Sequence, residues 1–557
     1  MTEPRASRFG PRLQVANDEY DAVREGRVRI RIGAALFCAA LGLAALRLGE
    51  VALLTPNLAP RAAAPSLPPA RADITDRHGE LLATTLTTYA LIAEKPRLWD
   101  VDETVDALIR LRPDLFEAAS LRAKLSAPGF EVPLARGLSP REREAVFALG
   151  LPGLAFRTEA RRAYPAGALA AHVVGYADVD MVGLAGAEKA FEAELSGGTA
   201  PVALSIDARV QHALEDELLA GLELFKAQTV AGVVLDVRTG EILAMASLPG
   251  FDANRAGSAS PQSRYAHATM STYELGSVFK PLTLATALET GTATPDQVYP
   301  VHEAFTVQRK RIRDDHPSDV PLRMADVLAE SSNRGTALMA LDFGAANQQL
   351  FLQRLGLNAR VNYGLGESAA PQLQSDWQDI TTVTVSYGHG LSVTPLAFAA
   401  AAASLFNDGL YVAPTILRRD DTPPARRVFS HETARTLQGM MRYVATDGTG
   451  RKADVPGYGV MGKTGTADKP GVGGYDTRRL VTSFIAGFPY PEPRYAVLVT
   501  FDEPKAVEGT WGYATAGWNA APTTGRVIAR IAPMLGVEKR PAEATLSPWT
   551  PPEEDGS

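Results

Sequence analysis

One long apolar run stands out from an otherwise mixed pattern of hydrophobic and polar positions. It extends from Ile32 to Leu46 and continues through scattered leucines and valines to residue 54. A membrane-spanning helix requires about 20 predominantly apolar residues, which this stretch supplies. Four arginines, at positions 24, 27, 29 and 31, precede it. Because positive charges are retained on the cytoplasmic side, the pattern predicts a single anchor with a cytoplasmic N-terminus.

A cleaved signal peptide is the alternative interpretation, with the alanines at 62–64 as a cleavage site. That site lies too far beyond the apolar run to be typical, so we favour an uncleaved anchor. The anchor comprises residues 32–54 and follows a cytoplasmic tail of residues 1–31. The Pro/Ala-rich residues 55–72 then form a semi-rigid linker, and everything after them lies outside the cytoplasmic membrane. The single cysteine, Cys38, is interpreted as a small apolar residue facing lipid.

Beyond the linker, strand-like and helix-like patterns alternate. Residues 73–200 mix short strands with helical stretches. In residues 201–537, "VAGVVLDVRTGEILAMASLPG" reads as a hairpin, long helical tracts follow, and strands return at "VTSFIAGFPY" and "RYAVLVTFDEP". We therefore predict an α+β multidomain chain whose second domain has a largely antiparallel sheet flanked by helices. The polar, Pro-rich residues 538–557 are predicted to be disordered.

Composition narrows the possible functions. The formal charge of −7 gives no reason to expect nucleic acid as a partner. One cysteine excludes a disulfide framework within the chain and a thiolate metal cluster. The eight histidines contain no H-E-x-x-H, so we predict neither a metal site nor a cofactor.

The first of three candidate catalytic motifs is Ser277-Val278-Phe279-Lys280. Ser277 opens a helical stretch, and Lys280, three residues later, would share its face. A serine hydroxyl is a weak nucleophile near neutral pH, but a lysine within reach can take its proton if burial or nearby cations lower the lysine's pKa. The N–H groups at the helix start would stabilise developing negative charge.

The second motif is Ser331-Ser332-Asn333, between two helical stretches. In the functional interpretation Ser331 carries protons between Lys280 and a leaving amine, and Asn333 holds a substrate amide. The simpler interpretation is an ordinary helix cap, because serine and asparagine favour such positions.

The third motif, Lys463 to Thr466, reads as an extended strand in which Lys463 and Thr464 point to opposite faces. Thr464 and Thr466 would face the same way and bind a substrate carboxylate, with Lys463 supplying positive potential. Gly465 would let another backbone approach closely. A surface turn is the simpler alternative.

The same stretch, from Gly457 to Thr464, also fits the nucleotide-binding pattern G-x-x-x-x-G-K-[ST]. A genuine P-loop follows a buried strand and opens a helix. Here the residues before Gly457 are turn formers, and Thr464 is followed by Pro470 and several further glycines, which do not begin a helix. A segment outside the membrane would also lack ATP. We therefore favour the K-T-G interpretation, with Asp502 ending a sheet strand.

Together and in this order, S-x-x-K, S-x-N and K-T-G resemble the active site of penicillin-binding proteins and serine β-lactamases. The resemblance extends from about residue 71 to about 535. "ARADITDRHGELLATT", "RAYPAGALAAHVVGYADVD", "SYGHGLSVTPL" and "TAGWNAAP" are similar to segments of class B penicillin-binding proteins, most closely the division-specific, FtsI-type peptidoglycan D,D-transpeptidases. "RYAHATMSTYELGS" departs from the N-R-A that the family often shows before the nucleophile.

The resemblance implies a non-catalytic pedestal over residues 73–200 and a transpeptidase domain over 201–537. Ser277 would attack the penultimate D-alanine of a stem peptide, with Lys280 as base and the N–H groups of Ser277 and Thr466 as the oxyanion hole. An amine of a neighbouring stem, from diaminopimelate, would then attack the acyl-enzyme, and β-lactams would acylate the same serine. The implied catalytic residues are Ser277, Lys280 and Ser331, and the implied substrate-binding residues are Asn333, Lys463, Thr464, Gly465 and Thr466.

The implied setting is the bacterial inner membrane at the division septum, with a periplasmic catalytic domain. Partners would be peptidoglycan stem peptides, β-lactams, the cytoplasmic membrane, and a glycan polymerase of the FtsW type with other division proteins. No metal or cofactor is required.

Of four alternative functions, the sequence disfavours two and leaves two open. A class A β-lactamase is disfavoured by the chain length and the lack of a convincing E-x-x-L-N segment, and a class A penicillin-binding protein by the lack of a glycosyltransferase domain. An elongation-type class B enzyme and a catalytically silent scaffold or β-lactam sensor remain open. His267, His316 and His389 are interpreted as structural or solvated, since a lysine-activated serine needs no histidine base.

Overall fold

The computed structural model describes residues 27–47, 71–471 and 474–550. It separates into two units, Met1–Leu67 and Pro68–Ser557. The first contributes helix α1 (Arg27–Arg47), the one helix of the described residues long and apolar enough to cross a membrane. It overlaps the predicted anchor over residues 32–47, and Cys38 is exposed on it. The rest of that anchor, most of the tail and the linker up to residue 70 lie outside the described residues.

The second unit begins with a mixed α/β region, which we call the pedestal. Its strands are β1 (Ile74–Thr75), β2 (Leu81–Glu94), β3 (Glu131–Leu138), β4 (Leu154–Ala163), β5 (Tyr176–Ala177), β6 (Gly183–Ala185) and β7 (Val202–Ala203). Its helices are α2 (Val101–Leu111), α3 (Ala118–Ser126), α4 (Pro140–Phe147), α5 (Ala171–Val174), α6 (Gly186–Ala190) and α7 (Glu192–Leu195). The long strand β2 pairs antiparallel with β1, β3 and β4, and β7 joins β1 in parallel. Apolar residues of α2, α3 and α4 pack on β2 and β3 and form a separate small core.

A buried ion-pair network holds the base of the pedestal together. Glu188 accepts hydrogen bonds from Arg71 Nε and Arg162 Nε, each at 2.6 Å, and all three side chains are almost fully buried. The pedestal is also hydrogen-bonded to the following region, where Asn254 Nδ2 donates to Tyr164 O at 2.9 Å and Asn254 Oδ1 accepts from Tyr164 N at 3.0 Å. These contacts fix the pedestal on the remainder of its unit.

The rest of the chain is built around a second five-stranded sheet. The helices, in chain order, are α8 (Ala208–Leu224), α9 (His267–Met270), α10 (Lys280–Glu289), α11 (Met324–Ala329), α12 (Asn333–Arg354), α13 (Asp379–Ser386), α14 (Pro395–Phe406), α15 (His431–Thr446) and α16 (Ala520–Met534). The sheet strands are β8 (Thr229–Asp236), β9 (Ile242–Leu248), β18 (Met461–Gly471), β19 (Gly474–Phe488) and β20 (Tyr495–Asp502). Short paired strands lie between them: β10 (Val298–Tyr299), β11 (Phe305–Val307), β12 (Lys310–Ile312), β13 (Leu322–Arg323), β14 (Gln372–Leu373), β15 (Leu391–Ser392), β16 (Leu410–Val412) and β17 (Ala425–Arg427).

The sheet order is β18-β19-β20-β8-β9, and every neighbouring pair is antiparallel. This confirms the predicted antiparallel sheet and the predicted β8–β9 hairpin. Alternate residues of each strand face opposite layers, as strand geometry requires. Val230 and Val234 pack with α8 and α16, whereas Val233 faces the layer containing α10 and α14. Strand β18, which carries the third motif, lies at an edge of the sheet.

The C-terminal segment, residues 538–550, differs from the predicted disordered tail. Its backbone supplies acceptors to arginines: the buried Arg442 on α15 donates from Nε to Thr545 O at 2.7 Å, and Arg323 donates from Nη2 to Thr550 O at 2.8 Å. Trp549 packs partly buried against the main core. These contacts come from residues remote in sequence, so composition alone could not indicate them. Residues 551–557 lie outside the described residues.

Candidate active site

Ser277 lies in a tight turn, a 3-10 segment spanning Gly276–Phe279 that leads directly into α10. Gly276 adopts φ of 63°, and a Cβ there would lie 2.7 Å from Thr466 O of β18. The opposite side of the turn is held by a hydrogen bond from Gly276 N to Gly388 O, at 3.2 Å. The turn therefore needs glycine, and it holds the half-buried Ser277 close to the edge strand.

Gly465 provides the matching surface on β18. A Cβ at this position would lie 2.3 Å from Leu275 O and 3.0 Å from Val278 N, both backbone atoms of the segment that carries Ser277. Only glycine permits this backbone approach. The close contact brings the first and third motifs together.

Two buried lysines converge on Ser331. Its Oγ accepts a hydrogen bond from Lys280 Nζ at 3.1 Å and another from Lys463 Nζ at 3.0 Å. Lys280 Nζ also donates to Ser331 O. Neither lysine is exposed to solvent. The hydroxyl of Ser331 is therefore the point at which all three motifs meet.

Burial changes the protonation of both lysines. It lowers the pKa of Lys280 to about 7, although the negative charges of Asp314 and Asp315 act in the opposite direction. Burial and the neighbouring charge of Lys280 together lower the pKa of Lys463 well below its usual value. A substantial fraction of Lys280 is therefore neutral near pH 7 and able to accept a proton.

The second motif contains both a helix cap and a site residue. Ser332 caps α12, with its Oγ accepting from Gly335 N at 3.1 Å, so the helix-cap interpretation applies to this serine. Its neighbour Ser331 faces the lysines instead. Asn333 is half-buried, and its Nδ2 donates to Arg313 O at 2.9 Å.

The threonines of the third motif lie beside the lysines and the loop before α16. Thr464 Oγ1 is 3.3 Å from Lys463 Nζ and 2.8 Å from Thr449 Oγ1. Thr466 Oγ1 accepts from Ala516 N at 3.1 Å. A lysine amine and hydroxyl groups are thus adjacent on β18, and these hydrogen-bond donors suit a carboxylate.

The strand conformation also excludes the nucleotide interpretation. Lys463 lies inside β18, which continues as a strand to Gly471. Gly457 and Gly459, with φ of 87° and 54°, form the turn that precedes the strand. A P-loop would instead have this lysine at the start of a helix.

The three histidines occupy different surroundings. Burial lowers the pKa of His389 to about 4, and its ring packs against Tyr387 and Tyr475. His267 is largely buried and lies 2.9 Å, through Nδ1, from Ser271 Oγ. His316 is exposed.

Sequence reasoning missed two acidic residues near the site. Asp314 lies against the second motif, and Glu274, three residues before Ser277, accepts a hydrogen bond from Tyr475 at 2.9 Å. Asp314 lies in "RIRDDH" and Glu274 in "YELGS", and nothing in the spacing of these residues indicated a role.

This geometry defines a class of protein: a serine acyltransferase in which buried lysines replace histidine. In comparisons with known proteins, residues 230–528 match the penicillin-binding protein transpeptidase domain, and residues 66–215 match the penicillin-binding protein dimerisation domain. The chain is 41% identical over 494 residues to a probable peptidoglycan D,D-transpeptidase FtsI of Caulobacter vibrioides, covering 86% of this chain and 83% of that one.

It is also 31% identical over 507 residues to the peptidoglycan D,D-transpeptidase FtsI of Escherichia coli, covering 84% of each chain. Among solved structures, penicillin-binding protein 3 of Mycobacterium tuberculosis complexed with aztreonam is similar, with a TM-score of 0.69, 26% identity, and 87% of this chain and 100% of that one covered. The chain therefore belongs to the class B penicillin-binding proteins, the family of the FtsI-type peptidoglycan D,D-transpeptidases.

Proposed function

We propose that Ser277 is the nucleophile of a septal D,D-transpeptidase and that Lys280 is its general base. The observation that supports this most directly is the buried Lys280, three residues after Ser277 and hydrogen-bonded to Ser331. In this proposal the neutral form of Lys280, at the start of the helix that follows the serine, takes the proton of Ser277. Ser331 and Lys463 complete the proton path, and Asn333, Thr464, Gly465 and Thr466 form the substrate-binding surface.

The acylation step follows from these positions. Ser277 Oγ attacks the carbonyl carbon of the penultimate D-alanine, and its proton passes to Lys280 Nζ. The N–H groups of Ser277 and Thr466 stabilise the oxyanion. As the tetrahedral intermediate collapses, the peptide bond breaks, and a proton reaches the leaving D-alanine through Ser331. An ester to Ser277 remains.

Deacylation reverses these roles. The neutral amine of a second stem peptide attacks the ester carbonyl and forms the new peptide bond, and its proton returns by the same path to Ser277 Oγ. A β-lactam would open on Ser277 in the first step, because its amide mimics the D-alanine peptide bond. Lys463 and Thr464 would hold the terminal carboxylate or its β-lactam counterpart.

The cellular setting is part of the proposal. The arginines that precede the apolar run of α1 favour a single-pass inner-membrane protein with a cytoplasmic N-terminus and a periplasmic catalytic domain. The likeness to FtsI proteins supports action at the division septum. Association with an FtsW-type glycan polymerase and other division proteins is part of the same proposal. We propose domain limits of 73–200 for the pedestal and 201–537 for the transpeptidase domain.

Labelling with a fluorescent penicillin tests the nucleophile. The full chain should be labelled covalently, and Ser277→Ala should not; labelling of the variant at the wild-type level would overturn the assignment. Turnover of a D-Ala-D-Ala stem peptide with an added acceptor amine distinguishes an enzyme from a silent sensor, which would be labelled without forming cross-linked product. Depletion in the native bacterium should block septation and spare elongation, whereas swollen, rounded cells would indicate the elongation type.

A further inference from the structure

The conformation of Ser331 poses a structural problem. Its φ is 64°, in the left-handed region that residues other than glycine rarely adopt. Both its Oγ and its carbonyl oxygen accept hydrogen bonds from Lys280, so the position of its whole peptide unit matters to the site. Such a conformation persists only where surrounding contacts enforce it.

The turn is held from two sides: from α11, where Ser331 N donates to Leu328 O at 3.3 Å and Ser332 N donates to Val327 O at 2.9 Å, and from Asp314, in the loop after β12. Its Oδ2 accepts from Ser332 Oγ at 2.9 Å, and its Oδ1 accepts from the backbone N–H groups of Asn333 and of Arg334, the latter at 2.9 Å. Asp314 is buried, with 8% of its surface exposed. Its carboxylate therefore meets the three residues that follow Ser331 and caps the N-terminus of α12.

The loop that carries Asp314 is itself fixed to α12. Arg334 donates from Nε to Ile312 O at 3.3 Å and from Nη1 to Val301 O at 2.7 Å. Asn333 Nδ2 holds Arg313 O at 2.9 Å. Asp314 is thus held on both sides and cannot move away from the turn without breaking several hydrogen bonds.

Asp314 also acts on Lys280 through its charge. The charged and titratable groups that face Lys280 are Lys463 from β18, His389 from the loop after α13, and Asp314 with Asp315 from the loop after β12. The two carboxylates are the negative members of this set, and they favour the protonated form of Lys280. The side chain that shapes the turn therefore also influences the protonation of the base.

We propose that Asp314 is a positioning residue of the transpeptidase, which holds the turn that carries Ser331 between the two lysines. Its negative charge adds a second effect, because it favours the protonated form of Lys280. The inference rests on the proposed function of Ser277, Lys280 and Ser331. The hydrogen bonds of Asp314 and its negative charge are two separate effects, and different substitutions of Asp314 remove them.

Asp314→Asn removes the charge and keeps most of the shape. The amide oxygen still accepts from the two backbone N–H groups, and the amide nitrogen can donate to Ser332 Oγ. We expect a maximal acylation rate within about threefold of wild type, and an acid limb of the pH–rate profile displaced to lower pH by about half a unit or more, because the neutral form of Lys280 is favoured. Asp314→Ala removes the shape as well, and the maximal rate should fall by about tenfold to a hundredfold.

The measurement is the rate constant for acylation of the full chain by a fluorescent penicillin between pH 5 and 9, with thermal unfolding in parallel. Asp342→Ala, an exposed carboxylate on α12, is the matched control and should behave as wild type. An unchanged profile for Asp314→Asn overturns the charge effect. A wild-type maximal rate for Asp314→Ala overturns the positioning effect.

The outcomes also separate this inference from the proposed function. If Ser277→Ala is still labelled, the nucleophile assignment fails, whatever the Asp314 variants do. If Ser277→Ala is unlabelled and both Asp314 variants match wild type, only the inference about Asp314 fails. Should Asp314→Ala not fold, Asp314→Glu tests the positioning effect instead, because it keeps the charge and moves the carboxylate by one methylene group: a maximal rate equal to wild type for that variant overturns the positioning effect.

Discussion

Replacing Gly465 by alanine examines how β18 and the catalytic turn depend on each other. The new Cβ would lie 2.3 Å from Leu275 O, whereas ordinary contact begins near 3.4 Å. The two backbones must therefore separate by about 1 Å at this point, since the obstructing atom belongs to the main chain and cannot rotate away. The separation moves Thr466 N relative to Ser277, the two halves of the proposed oxyanion hole.

The consequences for rate and stability differ in size. A misplacement of about 1 Å in a catalytic arrangement costs about a hundredfold in rate. Overpacking of this kind costs about 1–3 kcal/mol of unfolding free energy, which a protein of this size can absorb. We therefore expect Gly465→Ala to fold, to unfold at a slightly lower temperature, and to be acylated by penicillin about a hundredfold more slowly.

The assay is the time course of covalent labelling by a fluorescent penicillin, read on a gel, with thermal unfolding of the same samples. Gly471→Ala is the matched control, because it lies on the same strand and its Cβ would meet its nearest neighbour, Asp476 Cβ, at 3.5 Å. It should be labelled at the wild-type rate. If Gly465→Ala is acylated within about threefold of wild type, the oxyanion geometry does not depend on this contact and the reasoning is refuted.

Three further predictions follow from the charges in the structure. Because the pKa of Lys280 is about 7 and only its neutral form accepts a proton, acylation should slow about tenfold per unit as the pH falls below 7, and a flat profile from pH 5 to 8 would contradict the base assignment. Ser331→Ala should slow acylation about tenfold or more at every pH, because the two lysines lose their shared acceptor; unchanged labelling would remove Ser331 from the proton path. Glu188→Ala should lower the unfolding free energy by about 3–5 kcal/mol in denaturant titrations, because it leaves Arg162 buried without its carboxylate and leaves Arg71 with Glu192 alone, and a loss below about 1 kcal/mol would show that the network is not needed.

The elements that the sequence predicted well are those with local causes. The β8–β9 hairpin follows from two apolar runs separated by a short polar turn, and β19 and β20 from similar runs. The mutual approach of Gly465 and the Ser277 segment was half-predicted: glycine suggested a close backbone contact, but the partner, Leu275 O, depends on the folded chain.

What the sequence could not predict depends on tertiary contacts. Asp314 acts on a turn 17 residues further along, and its neighbours in sequence give no sign of it. The C-terminal segment has the composition of a disordered tail, yet the buried guanidinium of Arg442 requires acceptors, which Thr545 O, Val460 O and Asp454 supply. Composition indicates whether a segment would be ordered by itself, whereas here a hydrogen bond to a remote arginine orders the segment.

The pairing of two buried lysines explains why the site is organised around a serine hydroxyl. Two full positive charges this close together and away from water would be strongly unfavourable, and burial and the charge of Lys280 both lower the pKa of Lys463. Ser331 Oγ can accept from a protonated lysine and donate to a neutral one, which lets a proton move between them without leaving the site. The negative charges of Asp314 and Asp315 offset part of the effect of burial and so limit how far the pKa of Lys280 falls. These two carboxylates therefore influence the pH at which Lys280 becomes a base. Removal of the Asp314 charge should accordingly displace the pH profile more than it changes the maximal rate.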